Sequence, residues 1–234
     1  MQTVHLQRKS TLKLRVWHPD YLVYSALLPT LAEFCVKLQG SLLDLGCGNS
    51  PYRPLLTNVL HYVPYDLTTT ASRPDVVGVA QNLPFHSCSF DSVLCTQVLE
   101  HVPDPWYMLK EIHRVLRPGG KLLLSAPQAW RLHEEPFDFY RYTKYGLQYL
   151  VQESGLQMVE TVPQGGVWLL LGQSLNNTLW QKIPVKYSLR WFVYMVRTLC
   201  INVAFAVCNQ LWEDNGDTLN YVILACKSSD SSVG

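Results

Sequence analysis

The residues best suited to chemistry lie where apolar runs stop. In SLLDLGCGNSPYRPLL, Ser41 to Leu56, an apolar run ends in an acid and two alternate glycines: Asp44-Leu-Gly46-Cys47-Gly48. Glycines at that spacing let the backbone turn tightly and approach a ligand closely, as a nucleotide cofactor requires; a tight turn without a ligand is the alternative. Asp66 closes the next apolar run, where a carboxylate can accept hydrogen bonds from ribose hydroxyls. A dinucleotide fingerprint needs a third glycine at position 51, where a pyrophosphate meets a helix N-terminus. Pro51 stands there, which counts against NAD or FAD. Asp44 would face phosphate in a dinucleotide complex and suits instead a cofactor with a positively charged ammonium.

Two more groups follow later runs. Glu100-His101 comes after the run Ser92 to Cys95, with His101 either a base or orienting group or the cap of a turn. The stretch LHEEPFDFYRYTKYGL comes after the run Lys121 to Ser125 and, dense in acids and aromatics, reads as an acceptor lid, with His133 and Glu134 as its acid–base candidates. A structural role is also open, in which Asp138 and Arg141 pair to organise the loop and Thr143 caps the next helix. Both readings can hold together. His-Glu-Glu lacks the His-x-x-x-His spacing of a zinc protease, so no metal site is expected.

The elements that must carry these residues alternate. Apolar runs at Leu42 to Leu45, Tyr62 to Tyr65, Val76 to Val79, Ser92 to Cys95 and Lys121 to Ser125 read as buried parallel strands. Helices are expected over Asp20 to Leu38, Pro105 to Leu116 and Lys144 to Glu153. The second would start at Asp104 as N-cap and stop at Pro118-Gly119-Gly120; Gly155 would stop the third. Such alternation predicts an open parallel sheet covered on both faces, whose ligands bind beyond the carboxyl ends of the strands.

Taken in order, Asp44-Leu-Gly-Cys-Gly48, Asp66, NLPFHSCSFDSVLCTQVLEHVPDP and LKEIHRVLRPGGKLLLSAP resemble the motifs of class I S-adenosylmethionine-dependent methyltransferases, most closely the type 11 group that includes the quinone-biosynthesis enzymes. The resemblance implies an α/β fold: a Rossmann-like seven-stranded, mostly parallel sheet with helices on both faces and the last strand antiparallel. It implies S-adenosyl-L-methionine as cofactor. Gly46, Cys47 and Gly48 would lie along its methionine moiety, Asp44 would hold the ammonium and Asp66 the ribose. Ala80, Gln81 and Asn82 would flank the adenine, and Gln97 would stand in the wall beside the methionine portion. The family commonly has Asp where this chain has Val79, so adenine recognition would rest on backbone or on Gln81. Ser50 replaces the third family glycine. Tyr52 and Arg53 directly follow the loop and are candidate cleft residues, with a helix-surface role as the alternative.

The chain has 234 residues and a net charge of +1, enough for one α/β domain and without the basic balance that tracking along nucleic acid requires. Its seven cysteines are scattered, with no Cys-x-x-Cys pair, and the first residues lack the apolar core of a secretory signal, so reduced thiols and a cytoplasmic setting are expected. The organisation expected is an N-terminal arm and helix over 1–40, a methyltransferase domain over 41–227 with an amphipathic helical insertion at about 168–216, and a flexible tail over 228–234. In the insertion, RWFVYMVRTLCINVAFAVCNQLW places Arg190, Tyr194, Arg197, Thr198, Asn202 and Asn209 on one arc of a helix, leaving a wide apolar face. That face is expected to pack on the domain or a second subunit. A membrane surface or a lipid-like acceptor is the alternative partner, and the methyl acceptor is expected to be a small or lipid-like molecule rather than nucleic acid.

Overall fold

The computed structural model describes residues 14–69, 74–180, 189–212, 214 and 216–229. The expectations for the first part of the N-terminal arm and for the end of the tail lie outside these residues. Seven strands form one sheet: β1 (Gly40–Leu45), β2 (Val59–Asp66), β3 (Val76–Val77), β4 (Phe90–Thr96), β5 (Leu116–Pro127), β6 (Leu156–Gln164) and β7 (Asn220–Lys227). Their order is β3-β2-β1-β4-β5-β7-β6. The first five are parallel to one another, and β7 runs antiparallel to both β5 and β6.

Successive strand residues point to opposite faces, and both faces are buried. Leu43, Val93, Leu122 and Ile223 pack with Met108 and Ile112 of α2 (Pro105–Val115) and with Leu147 and Val151 of α3 (Lys144–Glu153). Their sequence neighbours Leu42, Leu94, Leu123 and Val222 pack on the other face against Leu27, Leu31 and Phe34 of α1 (Tyr21–Cys35). This double burial explains why the strands read as continuous apolar runs.

Local signals resolve unevenly. Thr143 accepts the Gly146 amide at 3.1 Å and caps α3 as expected, and Gly155 takes a left-handed φ of +87° after it. Asp104 occupies the N-cap position of α2, but its side chain makes no capping bond; Pro105, lacking an amide hydrogen, leaves one fewer orphan donor in the first turn. The helix ends at Val115, ahead of Pro118-Gly119-Gly120, which lie within β5. The third strand is two residues long, shorter than Val76 to Val79.

Between β6 and β7 stand two helices, α4 (Val167–Trp180) and α5 (Leu189–Leu211). The orientation expected for α5 is reversed. Thr198 and Asn202 are fully buried, and Tyr194 nearly so, whereas Phe192, Val193, Val203 and Val207 are about half exposed. The polar arc is the inner face because it has partners there: Asn202 receives the Asn176 amide at 2.7 Å and donates to the carbonyls of Val16 and His18. Burial of Asn202 is thus compensated by hydrogen bonds that no apolar side chain would make.

Candidate functional site

The loops at the carboxyl ends of β1, β2, β4 and β5 form the site. Gly46 and Gly48 have φ of +71° and +52°, and a Cβ added at Gly46 would lie 2.2 Å from Val98. Glycine is therefore required at Gly46 by both conformation and space. The amides of Gly46 and Cys47 are tied to the Tyr65 carbonyl at 2.9 and 3.0 Å, which fixes the turn beside β2. Asp66, at the tip of β2, accepts the Gly48 amide at 2.9 Å and the Leu67 amide at 2.7 Å. The two sequence signals, acid and glycine loop, are thus in direct contact.

Asp44 is buried in β1, where Tyr62 donates its hydroxyl to the carboxylate. Asp44 is paired with Pro64, so Tyr62 is its diagonal neighbour on the same face of the sheet. Burial and the Asp44 carboxylate push the Tyr62 phenol well above its ordinary range, keeping it a proton donor. The Arg53 guanidinium lies 4.8 Å over the Tyr62 ring. Sequence reading missed Tyr62; the only signal for it was the strand register. Tyr52, a candidate cleft residue, is instead buried in the core beside α1. Burial, with Asp44 and Asp66 nearby, pushes the Cys47 thiol up to about 12, so it is no nucleophile at neutral pH.

Beyond Asp66, β3 pairs Val77 with that residue, and Tyr65 donates its hydroxyl to the Val79 carbonyl at 3.0 Å. The Asn82 amide bonds back to Val79, closing a turn through Ala80 and Gln81 next to Asp66. Gln97 is held at the end of β4 with φ +53°; its amide nitrogen Nε2 donates to Ser125 at 3.1 Å. Ser50, Gln97 and Glu134 are left-handed non-glycine residues, and all three lie in loops around this rim. Such strained backbone concentrates at binding sites. No α-helix follows β1; a short 3-10 turn, Arg53–Leu55, takes its place, so no helix N-terminus is presented for a pyrophosphate.

The lid brings together residues far apart in sequence. The rings of His101 and His133 meet edge to face at 4.7 Å. His101 Nδ1 lies 2.6 Å from the Phe137 carbonyl, and His133 Nδ1 lies 3.2 Å from both the Arg131 carbonyl and Asp138. These partners are acceptors, so each Nδ1 carries the proton and each Nε2 is left as the basic nitrogen. Burial, and then the neighbouring His101, lower the His133 pKa, favouring the neutral base. Glu134 reaches within 4.0 Å of His101 Nε2. Glu100, His101 and His133 place one ligand atom each within 4.8 Å of one another, a set able to hold a cation. The expectation of no metal-binding set rested on spacing along one loop, whereas these groups come from two.

Asp138 and Arg141 form the expected pair, through two bonds of 2.7 and 2.8 Å, and Arg141 also donates to the carbonyls of Trp130 and Arg131. Leu132, Phe137 and Phe139 are exposed on this loop, giving an apolar rim near the histidines. A groove of about 410 Å³ separates Trp130 and Arg131 of the lid from Leu170 and Gln173 of α4. A cavity of about 600 Å³, lined by Lys37, Lys121 and Glu160, lies at the opposite end of the sheet and takes no part in this arrangement.

Comparison with known proteins agrees with this architecture. A methyltransferase domain family model matches residues 43–124. A ubiquinone biosynthesis O-methyltransferase of Xanthomonas oryzae pv. oryzae is 33% identical over 103 residues, covering 36% of this chain and 41% of that protein. A tRNA U34 carboxymethyltransferase of Nautilia profundicola is 33% identical over 100 residues, covering 36% and 33% respectively. The chain thus spans less than half the length of these two curated relatives. Phosphoethanolamine N-methyltransferase 2 of Haemonchus contortus, solved in complex with S-adenosyl-L-methionine, shares the fold with a TM-score of 0.58 at 16% identity, covering 96% of this chain and 58% of that one. The matched motifs and the seven-stranded sheet together support a class I S-adenosylmethionine-dependent methyltransferase domain of the type 11 group, matched over residues 43–124.

Proposed function

We propose that this domain binds S-adenosyl-L-methionine at the ends of β1 and β2 and transfers its methyl group to a small or lipid-like acceptor beneath the lid. The observation that carries the reading is the contact of the left-handed glycine turn with Asp66, because it joins a close-approach backbone to a ribose-type acceptor. The residues fit the cofactor: a side chain at Gly46 would fill the cradle, and Asp44 offers a buried carboxylate to an ammonium group. When bound, S-adenosyl-L-methionine supplies a methyl group already activated on a sulfonium.

The protein's part is placement. Asp44, held by Tyr62, orients the ammonium; Asp66 takes the ribose hydroxyls; the turn through Ala80, Gln81 and Asn82 borders the adenine; and Gln97 walls the methionine side. Alignment and exclusion of water account for roughly 7 to 11 kcal/mol of barrier lowering in such displacements. On the acceptor side, neutral His133 or His101 receives a proton at Nε2 from an acceptor hydroxyl or ammonium, while Asp138 keeps the His133 ring in position. The apolar rim and the groove beside α4 support an acceptor with an apolar portion. One relative is named for a tRNA, but the near-neutral charge here supports a non-nucleic-acid acceptor.

A second reading, a binding or scaffold protein that keeps the fold, is favoured by Val79 in place of the family's adenine-contacting acid. Calorimetric titration separates the two. Binding of S-adenosylhomocysteine without binding of NADH supports the enzyme, and binding of neither supports the scaffold. Methyl-labelled cofactor incubated with fractionated extract would then show whether label enters a lipid or a polar product. Tyr62→Phe should weaken S-adenosylhomocysteine binding by about three- to tenfold, the effect of one hydrogen bond to a charged group. Unchanged affinity would remove Tyr62 from the site.

A further inference from the structure

The two lid histidines are supported as metal ligands are. His101 Nδ1 lies 2.6 Å from the Phe137 carbonyl, and His133 Nδ1 lies 3.2 Å from Asp138 and from the Arg131 carbonyl. Holding Nδ1–H on a carbonyl or carboxylate sets the tautomer and orients the Nε2 lone pair, which is the support that metal-bound histidine commonly has. Around His101 Nε2 stand Glu100 Oε1 at 3.8 Å and Glu134 Oε2 at 4.0 Å. Those separations are too long for hydrogen bonds, and all three atoms are acceptors. Glu100, His101 and His133 each bring one ligand atom to within 4.8 Å of the others. Ligand atoms around one tetrahedral zinc stand about 3.3 Å apart, so side-chain movement of roughly an ångström gathers the set on a common ion.

We propose that Glu100, His101 and His133 bind one divalent transition-metal ion of the zinc type, with Glu134 able to join as a fourth ligand. Two imidazoles and a carboxylate select such an ion over magnesium or calcium, whose sites are built of oxygen. Charge favours it as well. The charged groups acting on the two rings are Glu100, Glu134, Asp138 and Arg141, and the Arg141 guanidinium is held by both oxygens of Asp138. Glu100 is fully buried, and a buried carboxylate is stabilised by a cation bound directly to it. The two loops are fastened together at this point, since the Phe139 and Tyr140 amides both donate to the Glu100 carbonyl. The His101 and His133 side chains remain 15% and 16% exposed, which gives an ion a way in. Three protein ligands leave a coordination position for a solvent oxygen or, on the methyl-transfer reading, for an oxygen of the acceptor.

The test titrates the intact protein, stripped of metal by dialysis against a chelator, and uses neither cofactor nor acceptor. Its failure is therefore separate from failure of the methyl-transfer reading, which S-adenosylhomocysteine binding judges. Calorimetry should give one zinc per chain with a Kd of about a micromolar or tighter, and no binding of magnesium. Bound cobalt should show the visible bands of nitrogen and oxygen ligation without the near-ultraviolet band of thiolate, which distinguishes this site from the seven cysteines. His101→Ala and His133→Ala should each weaken zinc binding by at least about tenfold, with circular dichroism reporting whether the variants are folded. If they are not, the cobalt spectrum of the native protein decides alone. Native protein that binds zinc no more tightly than about a millimolar overturns the proposal. So does a thiolate band in the cobalt spectrum, or folded variants that bind zinc as tightly as the parent.

Discussion

Asp66→Ala is expected to lower affinity for S-adenosylhomocysteine by about a hundredfold. The carboxylate lies at the tip of β2 with one oxygen on the Gly48 amide and the other on the Leu67 amide. Each oxygen has a second lone pair available to a ribose hydroxyl, and hydrogen bonds to a charged group contribute about 1.5 to 3 kcal/mol each. Losing two of them, at the lower value, corresponds to about two orders of magnitude in affinity. The loop would also lose its tie to β2 through Gly48, so part of the loss would come from a less ordered site. Asp66→Asn keeps one oxygen but can turn an amide group toward the Gly48 N–H, donor against donor, and should cost about tenfold. Both variants should melt close to the parent, because Asp66 is only partly buried. Calorimetry giving the alanine variant an affinity within threefold of the parent would sink the ribose assignment and, with it, the cofactor site as drawn.

The sheet was legible from the chain because both faces of it are buried. Leu42 and Leu43 are equally apolar since one packs on α1 and the other on α2 and α3, and that continuity marks a parallel strand. Gly46, Gly48 and Asp66 were legible because a close-approach turn and the acid after the next strand occupy set places in such a sheet. What escaped was set by contacts across elements. Tyr62 reaches Asp44 only through strand register, and His101 meets His133 only because the loops after β4 and β5 fold together. The reversal of α5 escaped for a related reason. Periodicity located its polar arc, but Asn202 faces inward because carbonyls near the N-terminus await it there, and those partners lie more than 180 residues away in sequence.

The lid should prove to be held by one carboxylate. Asp138 is almost fully buried, accepts the His133 amide at 3.0 Å and takes both arms of the Arg141 fork. Burial alone would raise its pKa, but the Arg141 and His133 hydrogen bonds outweigh it and hold the carboxyl down to about 2, against an ordinary 3.8. A depressed folded-state pKa contributes stability that is complete above the unfolded value and lost as pH falls through the folded one. Here that places about 2 kcal/mol of acid-sensitive stability between about pH 4 and pH 2. Asp138→Ala should remove it and leave Arg141 half-buried without its partner, destabilising the protein by about 3 kcal/mol in urea at neutral pH. Its unfolding free energy should then fall less steeply than the parent's over that acid window. Trypsin should cut faster after Arg131 in the variant, while affinity for S-adenosylhomocysteine stays within twofold, because Asp44, Asp66 and the glycine turn are anchored to β1 and β2 rather than to the lid. A variant as stable as the parent, with the same acid profile, would show that the lid is held by its aromatic contacts instead. Loss of cofactor affinity alongside stability would mean that the two halves of the cleft do not fold independently.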